Sequence, residues 1–298
     1  METLLFTGGT GFLGANVKPI LDQRYQVTTI GITDRDDLKV DFAREIPELP
    51  CRYDVVLHAA GKAHVYPRTE AERQEFYDVN YIGTIHLCQS LEKVGVPKSI
   101  VFISTLNVYG SAPGNMDTED SRLLIGDSPY AESKIKAEGY LRKWCDDHHV
   151  VLGILRPALL VGPNAPGNLG AMVKGIKSGK YLSIAGGKAR KSVLMAKDIA
   201  NLVPLVAEKG GVYNVCDDSN PSFAELEATI AKQLGKHPPI SIPYWLAKCL
   251  ARIGDVFVLF PINSSKLEKI VTSDTWSNAK AKKELGWQPM NVLDNYKI

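Results

Sequence analysis

The chain has 298 residues, and its 35 lysines and arginines nearly balance its 33 aspartates and glutamates, which gives a formal charge of +2. This near balance argues against a protein built to coat nucleic acid or an anionic membrane. Hydrophobic residues form 45% of the chain, and its 25 glycines and 17 prolines are too few for a disordered chain, so we expect one large α/β domain or two domains.

Cysteine usage and the N-terminal segment bear on the compartment. The five cysteines are odd in number and form no CxxC pair, which argues against a disulfide framework and favours a reducing compartment. No basic segment followed by an apolar run stands at the start, and no stretch of about 18 uncharged apolar residues occurs. We therefore expect a cytoplasmic protein with no metal site, no nucleic-acid partner and no stable membrane association.

Short apolar runs alternate with helical patterns through the first half of the chain. The predicted strands are residues 3–6, 27–32, 54–60, 99–104 and 150–155, and the predicted helices are residues 12–22, 80–94 and 130–144. This alternation predicts an α/β fold of the Rossmann type, in which a doubly wound parallel sheet carries helices on both faces. Residues 33–52 leave little room for a full crossover helix and carry no clear pattern.

The second half of the chain is less regular and richer in glycine, proline and asparagine. Ser222 and Glu225 form a capping box that predicts a helix as far as Leu234, and a last helix is predicted over residues 277–285. Residues 242–262 predict an amphipathic helix, either on a solvent-exposed surface or in peripheral contact with a membrane.

These patterns predict two parts of unequal size. We expect a cofactor-binding domain over residues 1–160 and a smaller, mainly substrate-binding lobe over residues 161–298. A segment near residues 193–217 is expected to return to the first domain.

A glycine-rich loop follows the first predicted strand and opens the first predicted helix. Gly8 permits a tight turn, Gly11 lets the backbone approach a pyrophosphate, and Gly14 lets the helix pack closely on the sheet. Amide groups and the dipole at the start of the helix favour an anion. The spacing therefore predicts a dinucleotide-binding loop, with a structural turn as the other interpretation.

The choice between NAD and NADP is left open, with NAD as the prediction. Gly31 occupies the end of the second strand, where dinucleotide proteins often carry an acid for the adenosine ribose. Arg35 would suit the 2′-phosphate of NADP, although it can equally be a solvated loop charge. Asp41 and Phe42 are candidates for an adenine contact, or form a plain turn.

Three residues are candidates for acid–base catalysis. Tyr130 and Lys134 lie four positions apart, on one face of a predicted helix. A cation beside a phenol lowers its pKa, so Tyr130 could act as general base and, in reverse, as general acid. Thr105 closes a predicted strand at the sheet edge where open α/β sheets bind ligands. Singly these would be a surface pair and a strand-end threonine, but together with the glycine loop they predict a catalytic set.

With these motifs the chain resembles the extended short-chain dehydrogenase/reductases, in particular the nucleotide-sugar epimerase/dehydratase group. The similar segments are TGGTGFLG at 7–14, DVVLHAAGKAHV at 54–65, VNYIGT at 79–84, STLNVYG at 104–110, PYAESKIKAE at 129–138, LRPALLVGP at 155–163 and KKELGW at 282–287. They follow the order of the family over nearly the whole chain.

The resemblance implies site residues as well as a fold. By this resemblance the pyrophosphate is held by Gly8, Gly11, Phe12, Leu13 and Gly14, and the cofactor is lined by Ala59, Ala60, Gly61 and Pro157. The resemblance also implies that Thr105, Tyr130 and Lys134 are catalytic, and that Tyr130 and Lys134 contact the cofactor as well. Relatives of this kind often dimerise through helices that correspond to residues 80–94 and 130–144, so a homodimer is expected.

The resemblance also narrows the chemistry. In the 4,6-dehydratases an Asp-Glu pair follows the catalytic threonine, whereas Leu106 and Asn107 follow Thr105. Two reactions remain: 4-epimerisation of a nucleotide-sugar, with a UDP-sugar favoured, through a transient 4-keto sugar, and reduction of a nucleotide-4-keto-sugar. Epimerisation is the prediction. A non-catalytic dinucleotide sensor is the third hypothesis, and polar loops at 164–168 and 188–192 argue against an apolar substrate.

Substrate contacts are implied at two places in the second half. Asn168 is the candidate in the loop at 164–168, and Arg190 or Lys191 is the candidate for the diphosphate. A solvated basic turn is the other interpretation of Arg190 and Lys191. His64 lies near the expected site, where a structural role is as plausible as a catalytic one.

Overall fold

The computed structural model describes residues 1–63, 65–110, 124–256 and 262–298, so His64 lies outside the described residues. The strands are β1 Glu2–Thr7, β2 Tyr25–Gly31, β3 Leu38–Lys39, β4 Val55–His58, β5 Ser99–Ile103, β6 Val151–Pro157, β7 Leu159–Val161, β8 Ser183–Ile184, β9 Val193–Met195, β10 Gly211–Val215 and β11 Ser241–Ile242. The helices are α1 Phe12–Leu21, α2 Glu70–Tyr77, α3 Gly83–Val94, α4 Pro129–Asp147, α5 Gly167–Lys177, α6 Asp198–Lys209, α7 Phe223–Gln233, α8 Tyr244–Val256, α9 Ser264–Val271, α10 Ala279–Leu285 and α11 Val292–Asn295.

Seven strands form one parallel sheet in the order β10-β6-β5-β4-β1-β2-β3. The chain therefore winds outward from β1 in both directions, which places the crossover helices on both faces of the sheet. All the carboxyl ends lie at one edge, where the strand order reverses between β1 and β4. This confirms the predicted Rossmann-type doubly wound fold.

The alternation of side chains along β1 separates the core into two layers. Leu4 and Phe6 belong to the layer that includes Leu202 of α6, whereas Leu5 belongs to the layer that includes Leu141 of α4. Because both faces of a strand are covered, nearly every residue of the central strands is buried, which explains their continuous apolar sequences.

The predicted elements of the first half are present with small changes at their ends. The helix predicted over residues 80–94 is a π-helical turn at Asp78–Ile82 followed by α3. Residues 33–52 hold only the two-residue strand β3. The sequence patterns missed α2, which Thr69 and Glu72 begin with a capping box and of which only Phe76 is buried.

The second half forms a smaller lobe with its own core. Strand β7 pairs with β9, β8 pairs with β11, and helices α5, α7 and α11 share one apolar cluster. The predicted capping box of Ser222 and Glu225 starts α7, and Gly286 ends α10 in the left-handed conformation. Strand β10 lies beside β6 in the main sheet, so the chain crosses back from this lobe. Within the described ranges no helix has the length and hydropathy of a membrane span.

Candidate active site

The glycine loop closes tightly around the start of α1. Gly8 has a φ of +75°, and a Cβ at this position would lie 2.9 Å from the Ala60 backbone. A Cβ on Gly14 would lie 2.0 Å from the carbonyl oxygen of Gly9. No side chain caps the first turn of α1, and that turn carries no acid. The first amide groups of the helix are thus left for an anion.

A second loop, residues 59–61, is fixed against the glycine loop by a threonine. The Thr7 hydroxyl oxygen accepts hydrogen bonds from the amides of Ala59 at 3.1 Å and Ala60 at 3.0 Å. Its own hydrogen is directed to Nδ1 of His58, at 2.8 Å. The predicted cofactor-lining residues therefore lie beside the predicted phosphate loop.

The hydrogen bonds around His58 define its tautomer. The Thr84 hydroxyl donates to the carbonyl oxygen of Asn80 at 2.7 Å, so its oxygen accepts from Nε2–H of His58 at 2.9 Å. Nδ1 then accepts from Thr7, and the ring is neutral. Burial, reinforced by the charge of Lys134, lowers the pKa of His58 to about 3.

The structure brings Thr105, Tyr130 and Lys134 together at the carboxyl end of β5. Thr105 caps a short 3-10 turn, and its side chain hydrogen-bonds Tyr130 in the first turn of α4. The Lys134 ammonium donates to the carbonyl oxygen of Ile103 at 2.9 Å and lies 4.6 Å from the centre of the Phe102 ring. Thr105 and Lys134 are both buried. The three side chains that the sequence singled out thus share one buried site.

Burial rather than charge sets the protonation of this set in the ligand-free chain. Burial raises the pKa of Tyr130, and the hydrogen bond with Thr105 opposes that rise. Burial lowers the pKa of Lys134 to about 8, against the charge of Glu138. The sequence predicted that Lys134 lowers the pKa of Tyr130. That prediction is wrong for the chain without ligand, because burial disfavours the phenolate and the hydrogen bond with Thr105 only partly offsets this.

Asn80 is a member of the site that the sequence did not single out. Its amide nitrogen donates to Ser133 Oγ at 2.9 Å, and its oxygen accepts from the Lys62 amide at 2.7 Å. A Cβ on Gly61 would lie 2.9 Å from this oxygen and 3.2 Å from Lys134 Nζ. Gly61, Asn80 and Lys134 therefore converge, and a side chain at Gly61 would displace the other two. The π-helical turn that holds Asn80 is a feature often found at functional sites.

A buried polar network lies behind the catalytic set. Glu138 accepts two hydrogen bonds from Arg156, at 3.0 and 2.5 Å, and a third from the Ser104 hydroxyl at 2.5 Å. Arg156 also donates to the Tyr109 hydroxyl at 2.6 Å, which donates to Asn214 at 2.9 Å. The network joins the ends of β5, β6 and β10 to α4. In the sequence, this network is indicated only by the four-residue spacing that places Glu138 on the same side of the helix as Tyr130 and Lys134.

At the end of β2, the carboxylate of Asp36 lies beside Gly31, the residue at the position where dinucleotide proteins often carry an acid. A Cβ on Gly31 would lie 2.8 Å from Oδ2 of Asp36. That oxygen accepts from the hydroxyls of Thr10 at 3.0 Å and Thr33 at 2.8 Å, while Oδ1 is buried with no partner in the described chain. The neighbouring Arg35 is exposed and donates to the Thr10 carbonyl at 3.3 Å. The absence of a side chain at Gly31 is what admits the carboxylate of Asp36.

The remaining predicted cofactor residues differ in exposure. Phe42 is buried, and its carbonyl oxygen bonds Nδ1 of His86 at 2.7 Å. Asp41 caps a turn and pairs with Arg44 at 3.3 Å. An adenine contact here would therefore involve Asp41 or the Phe42 backbone. Pro157 ends β6 at the carboxyl edge.

The predicted substrate residues lie in the smaller lobe. Asn168 is exposed in the first turn of α5. Lys191 is largely buried 3.8 Å from Asp274, and burial lowers its pKa. Arg190 is exposed and donates to the carbonyl oxygen of Asn220 at 3.0 Å, with Glu225 at 3.6 Å. Of the two cations, only Lys191 is turned into the protein.

The chain is similar in sequence to a known family of enzymes. A family model described as the NAD dependent epimerase/dehydratase family matches residues 4–216. A UDP-glucose 4-epimerase of Vibrio cholerae is 28% identical and covers 98% of this chain and 92% of its own. An Escherichia coli O157:H7 N-acetyl-alpha-D-glucosaminyl-diphospho-ditrans,octacis-undecaprenol 4-epimerase is 29% identical, with coverages of 82% and 76%. A GDP-6-deoxy-D-mannose reductase of Pseudomonas aeruginosa is 26% identical, with coverages of 77% and 79%.

Solved structures share the fold over nearly the whole chain. RMD from Pseudomonas aeruginosa, complexed with NADPH, has a TM-score of 0.76 at 19% identity and covers 99% of this chain and 96% of its own. A Thermotoga maritima UDP-glucose 4-epimerase with UDP-glucose has a TM-score of 0.76 at 20% identity, with coverages of 98% and 95%. A Thermus thermophilus UDP-glucose 4-epimerase complex with NAD has a TM-score of 0.70 at 20% identity, with coverages of 96% and 94%.

Proposed function

The chain belongs to the NAD dependent epimerase/dehydratase family, and from that membership we propose that it is a nucleotide-sugar 4-epimerase that works with a bound nicotinamide dinucleotide. The observation that carries the proposal is the meeting of Thr105, Tyr130 and Lys134 at the carboxyl end of β5. A partly exposed phenol beside a buried hydroxyl and a buried ammonium suits proton transfer with a sugar hydroxyl. A non-catalytic sensor would not require this set.

The residues present fit a dinucleotide. The uncapped first turn of α1 offers amide groups to a pyrophosphate, and Gly11 leaves the approach to them without a Cβ. Gly8 and Gly14 let the loop pack closely against Ala60 and Gly9. Ala59, Ala60 and Gly61 would line the nicotinamide half, with Lys134 on its ribose. When bound, the nicotinamide supplies the removal and return of a hydride at C4 of the sugar.

We assign the proton transfers to this chain's own side chains. Tyr130 would accept the proton of the C4 hydroxyl as the 4-keto sugar forms, and return it as the new hydroxyl forms. Thr105, already hydrogen-bonded to Tyr130, would hold the reacting oxygen. A protonated Lys134 would stabilise the phenolate, because an adjacent cation favours the charged form. Burial keeps water from competing for the same proton.

NAD is the favoured form of the cofactor because of Asp36. Its Oδ1 lacks a donor in the described chain, and ribose hydroxyls are donors. A 2′-phosphate at the same place would meet the carboxylate with like charge. If the charge of Arg35 attracts a 2′-phosphate more strongly than Asp36 repels it, NADP is preferred. Titration of the cofactor-free enzyme with both dinucleotides tests this: Asp36→Asn is expected to narrow the preference for NAD, and Arg35→Ala to leave it in place.

The substrate class is a sugar linked to a diphosphate, with a UDP-sugar as the proposal. Support comes from the relative that is a UDP-glucose 4-epimerase. Lys191, with Arg190 at the rim, would meet the diphosphate, and Asn168 would meet the nucleotide-sugar. A relative named for a diphospho-undecaprenol sugar shares only the diphosphate with this substrate, so polyprenyl-diphosphate sugars belong in the assay panel.

Reduction of a nucleotide-4-keto-sugar is the second candidate, supported by the relative that is a GDP-6-deoxy-D-mannose reductase. One experiment separates the two. The purified enzyme is mixed with UDP-, dTDP- and GDP-sugars, their 4-keto forms and polyprenyl-diphosphate sugars, with and without added dinucleotide. Inversion at C4 without net cofactor turnover is expected. Stoichiometric loss of reduced cofactor with a 4-keto sugar would instead establish the reductase, and dinucleotide binding without turnover of any sugar would establish the sensor.

A further inference from the structure

The charge of the chain is unevenly distributed. Residues 174–188 carry four lysines and no carboxylate, and residues 232–256 carry three lysines, one arginine and only Asp255 as an acid. These two segments together have a formal charge of +7, whereas the whole chain has +2. The remaining residues are therefore net negative, and the small lobe holds a local excess of positive charge.

The same two segments carry large apolar side chains in contact with water. Ile240 is 78% exposed, Trp245 67%, Leu182 50% and Ile253 45%. Helix α8 buries its opposite side, where Ala247 and Ala251 are inaccessible. The outward side of this helix therefore presents Trp245 and Ile253, which do not pack in the core of the lobe.

The topology of the lobe makes these segments neighbours, because Ile184 and Ile242 of two paired strands pack with the buried side of α8. Strands β8 and β11 are parallel, and the Ser183 amide donates to the Ile240 carbonyl at 3.0 Å, so Leu182 and Ile240 lie side by side. Helices α5 and α7 pack together, and each leads into one of these strands. Lys180 and Lys236 precede Leu182 and Ile240 by two and four residues, and Trp245 follows three residues after β11.

We propose that this face, formed by Leu182, Ile240, Trp245 and Ile253 with their surrounding lysines, docks on an anionic phospholipid bilayer. Tryptophan prefers the boundary between lipid headgroups and acyl chains, and isolated aliphatic side chains gain by entering it. Lysines at the rim meet lipid phosphates at the surface. The contact is peripheral, and it does not depend on the proposed reaction.

Two other occupants fit less well. A second copy of the chain, packed face to face, would bring two positively charged surfaces together, which like-charge repulsion disfavours. A single-stranded nucleic acid would use aromatic rings for stacking, but Leu182, Ile240 and Ile253 have no aromatic face to offer. Headgroup phosphates and acyl chains satisfy the lysines and the aliphatic side chains at the same time.

The chain carries its own reporter for this contact. Of its four tryptophans, Trp144, Trp276 and Trp287 are 5%, 6% and 4% exposed, so a blue shift in emission on binding would come from Trp245. The full chain is titrated with vesicles of phosphatidylcholine alone or mixed equally with phosphatidylglycerol, and followed by fluorescence and co-sedimentation. We expect a blue shift and at least about tenfold tighter binding with the anionic vesicles, weakened by salt.

Variants separate the two contributions. Leu182→Ser with Ile240→Ser should reduce sedimentation while leaving the reporter in place, and Lys236→Gln with Lys248→Gln should lower partitioning about fivefold per lysine. Trp245→Phe should abolish the blue shift while sedimentation persists. Matched controls are Ile298→Ser and the exposed pair Lys93→Gln with Lys143→Gln, which should bind like the wild type.

Three results would overturn the proposal. These are no binding to anionic vesicles, equal binding to neutral vesicles that the lysine variants leave unchanged, and concentration-dependent dimerisation that Trp245→Ser abolishes in the absence of lipid.

Discussion

At the scale of single residues, burial governs the protonation of the candidate site. Tyr130 has a raised pKa and Lys134 a lowered one, so desolvation drives both groups toward their neutral forms before any ligand binds. Below pH 8 Lys134 still keeps its proton, so the free chain holds a neutral phenol beside an ammonium. A ligand that brings charge to these groups would change both pKa values.

Removal of the Tyr130 hydroxyl tests its role most directly. Tyr130→Phe should lower kcat/KM by about 10²- to 10⁴-fold, because it deletes the hydroxyl that is proposed to move the substrate proton. Thermal unfolding should change little, since the ring and its edge contact with Phe76 remain. Tyr140→Phe, on the same helix but packed against Tyr81, is the matched control and should keep full activity. Near wild-type turnover of Tyr130→Phe would refute the assignment.

The neutral His58 predicts a loss of stability in acid. Its pKa is about 3 in the folded chain against 6.5 as the ordinary value, so the unfolded state takes up a proton first as the pH falls. Stability should decrease by about 1.4 kcal/mol per pH unit between about pH 6 and the folded pKa of about 3 from this residue alone. Urea unfolding at several pH values would measure the slope.

The control for this prediction compares slopes rather than absolute stability. His58→Gln keeps a donor and an acceptor but cannot be protonated, so its stability should depend less steeply on pH. His148→Gln, which changes a partly exposed ring, should retain the wild-type slope. An unchanged slope in His58→Gln would show that other groups cause the acid sensitivity.

At the scale of secondary structure, α4 organises the site. Its helical period places Tyr130, Lys134 and Glu138 on one side, so the two reactive groups and the anchor of the buried network share one rigid element. Arg156 then ties this helix to the end of β6. The proposed catalytic geometry would thus depend on an ion pair that lies behind the site.

Removing one partner of the Glu138–Arg156 pair should destabilise the fold more than replacing both partners with apolar side chains. Glu138→Gln leaves the guanidinium buried without a compensating charge and should lower the free energy of unfolding by about 3–5 kcal/mol. Glu138→Met combined with Arg156→Met should cost less than the sum of the single changes in a denaturant-based double-mutant cycle. Exposed Asp146→Asn, also on α4, is the control. Additive losses would show that the two side chains act independently.

The same variant should shift a pH profile. The Glu138 charge raises the pKa of Lys134 against the effect of burial, so Glu138→Gln should let that pKa fall below about 8. If protonated Lys134 is required, the alkaline limb of kcat/KM moves to lower pH. A merely structural role for Glu138 would lower activity without moving that limb.

Sequence patterns predicted the elements whose signals are local. The glycine loop, the apolar central strands and the Ser222 capping box each follow from neighbouring residues, and the structure has them. Asp36 escaped because its position depends on a contact with Gly31 across a loop. The sequence patterns did not predict the roles of Asn80 and the Glu138–Arg156 pair, because their partners lie on other elements. The pKa of Tyr130 was mispredicted because burial is a property of the whole fold.

At the scale of the whole molecule, the C-terminal segment contributes to the core of the first lobe as well as to that of the smaller lobe. The family match ends at residue 216, yet Ala281 and Trp287 belong to the apolar layer on one face of the main sheet. Trp276 stacks on Tyr109, a member of the buried network, with ring centres 4.8 Å apart. The C-terminal segment therefore completes the first lobe. A single boundary at residue 160 does not describe this arrangement.

This sharing predicts that the chain unfolds as one unit. Trp287→Ala should cost about 3–5 kcal/mol, because it empties a large volume between the sheet and α10, and should lower the Tm by about 5–8 °C for a chain of this length. Calorimetry should show a single transition that moves as a whole. Trp245→Ala removes an exposed ring of equal size and should leave the Tm unchanged. Two transitions, of which Trp287→Ala moves only one, would mean that the lobes fold separately although Trp287 packs in the core of the first lobe.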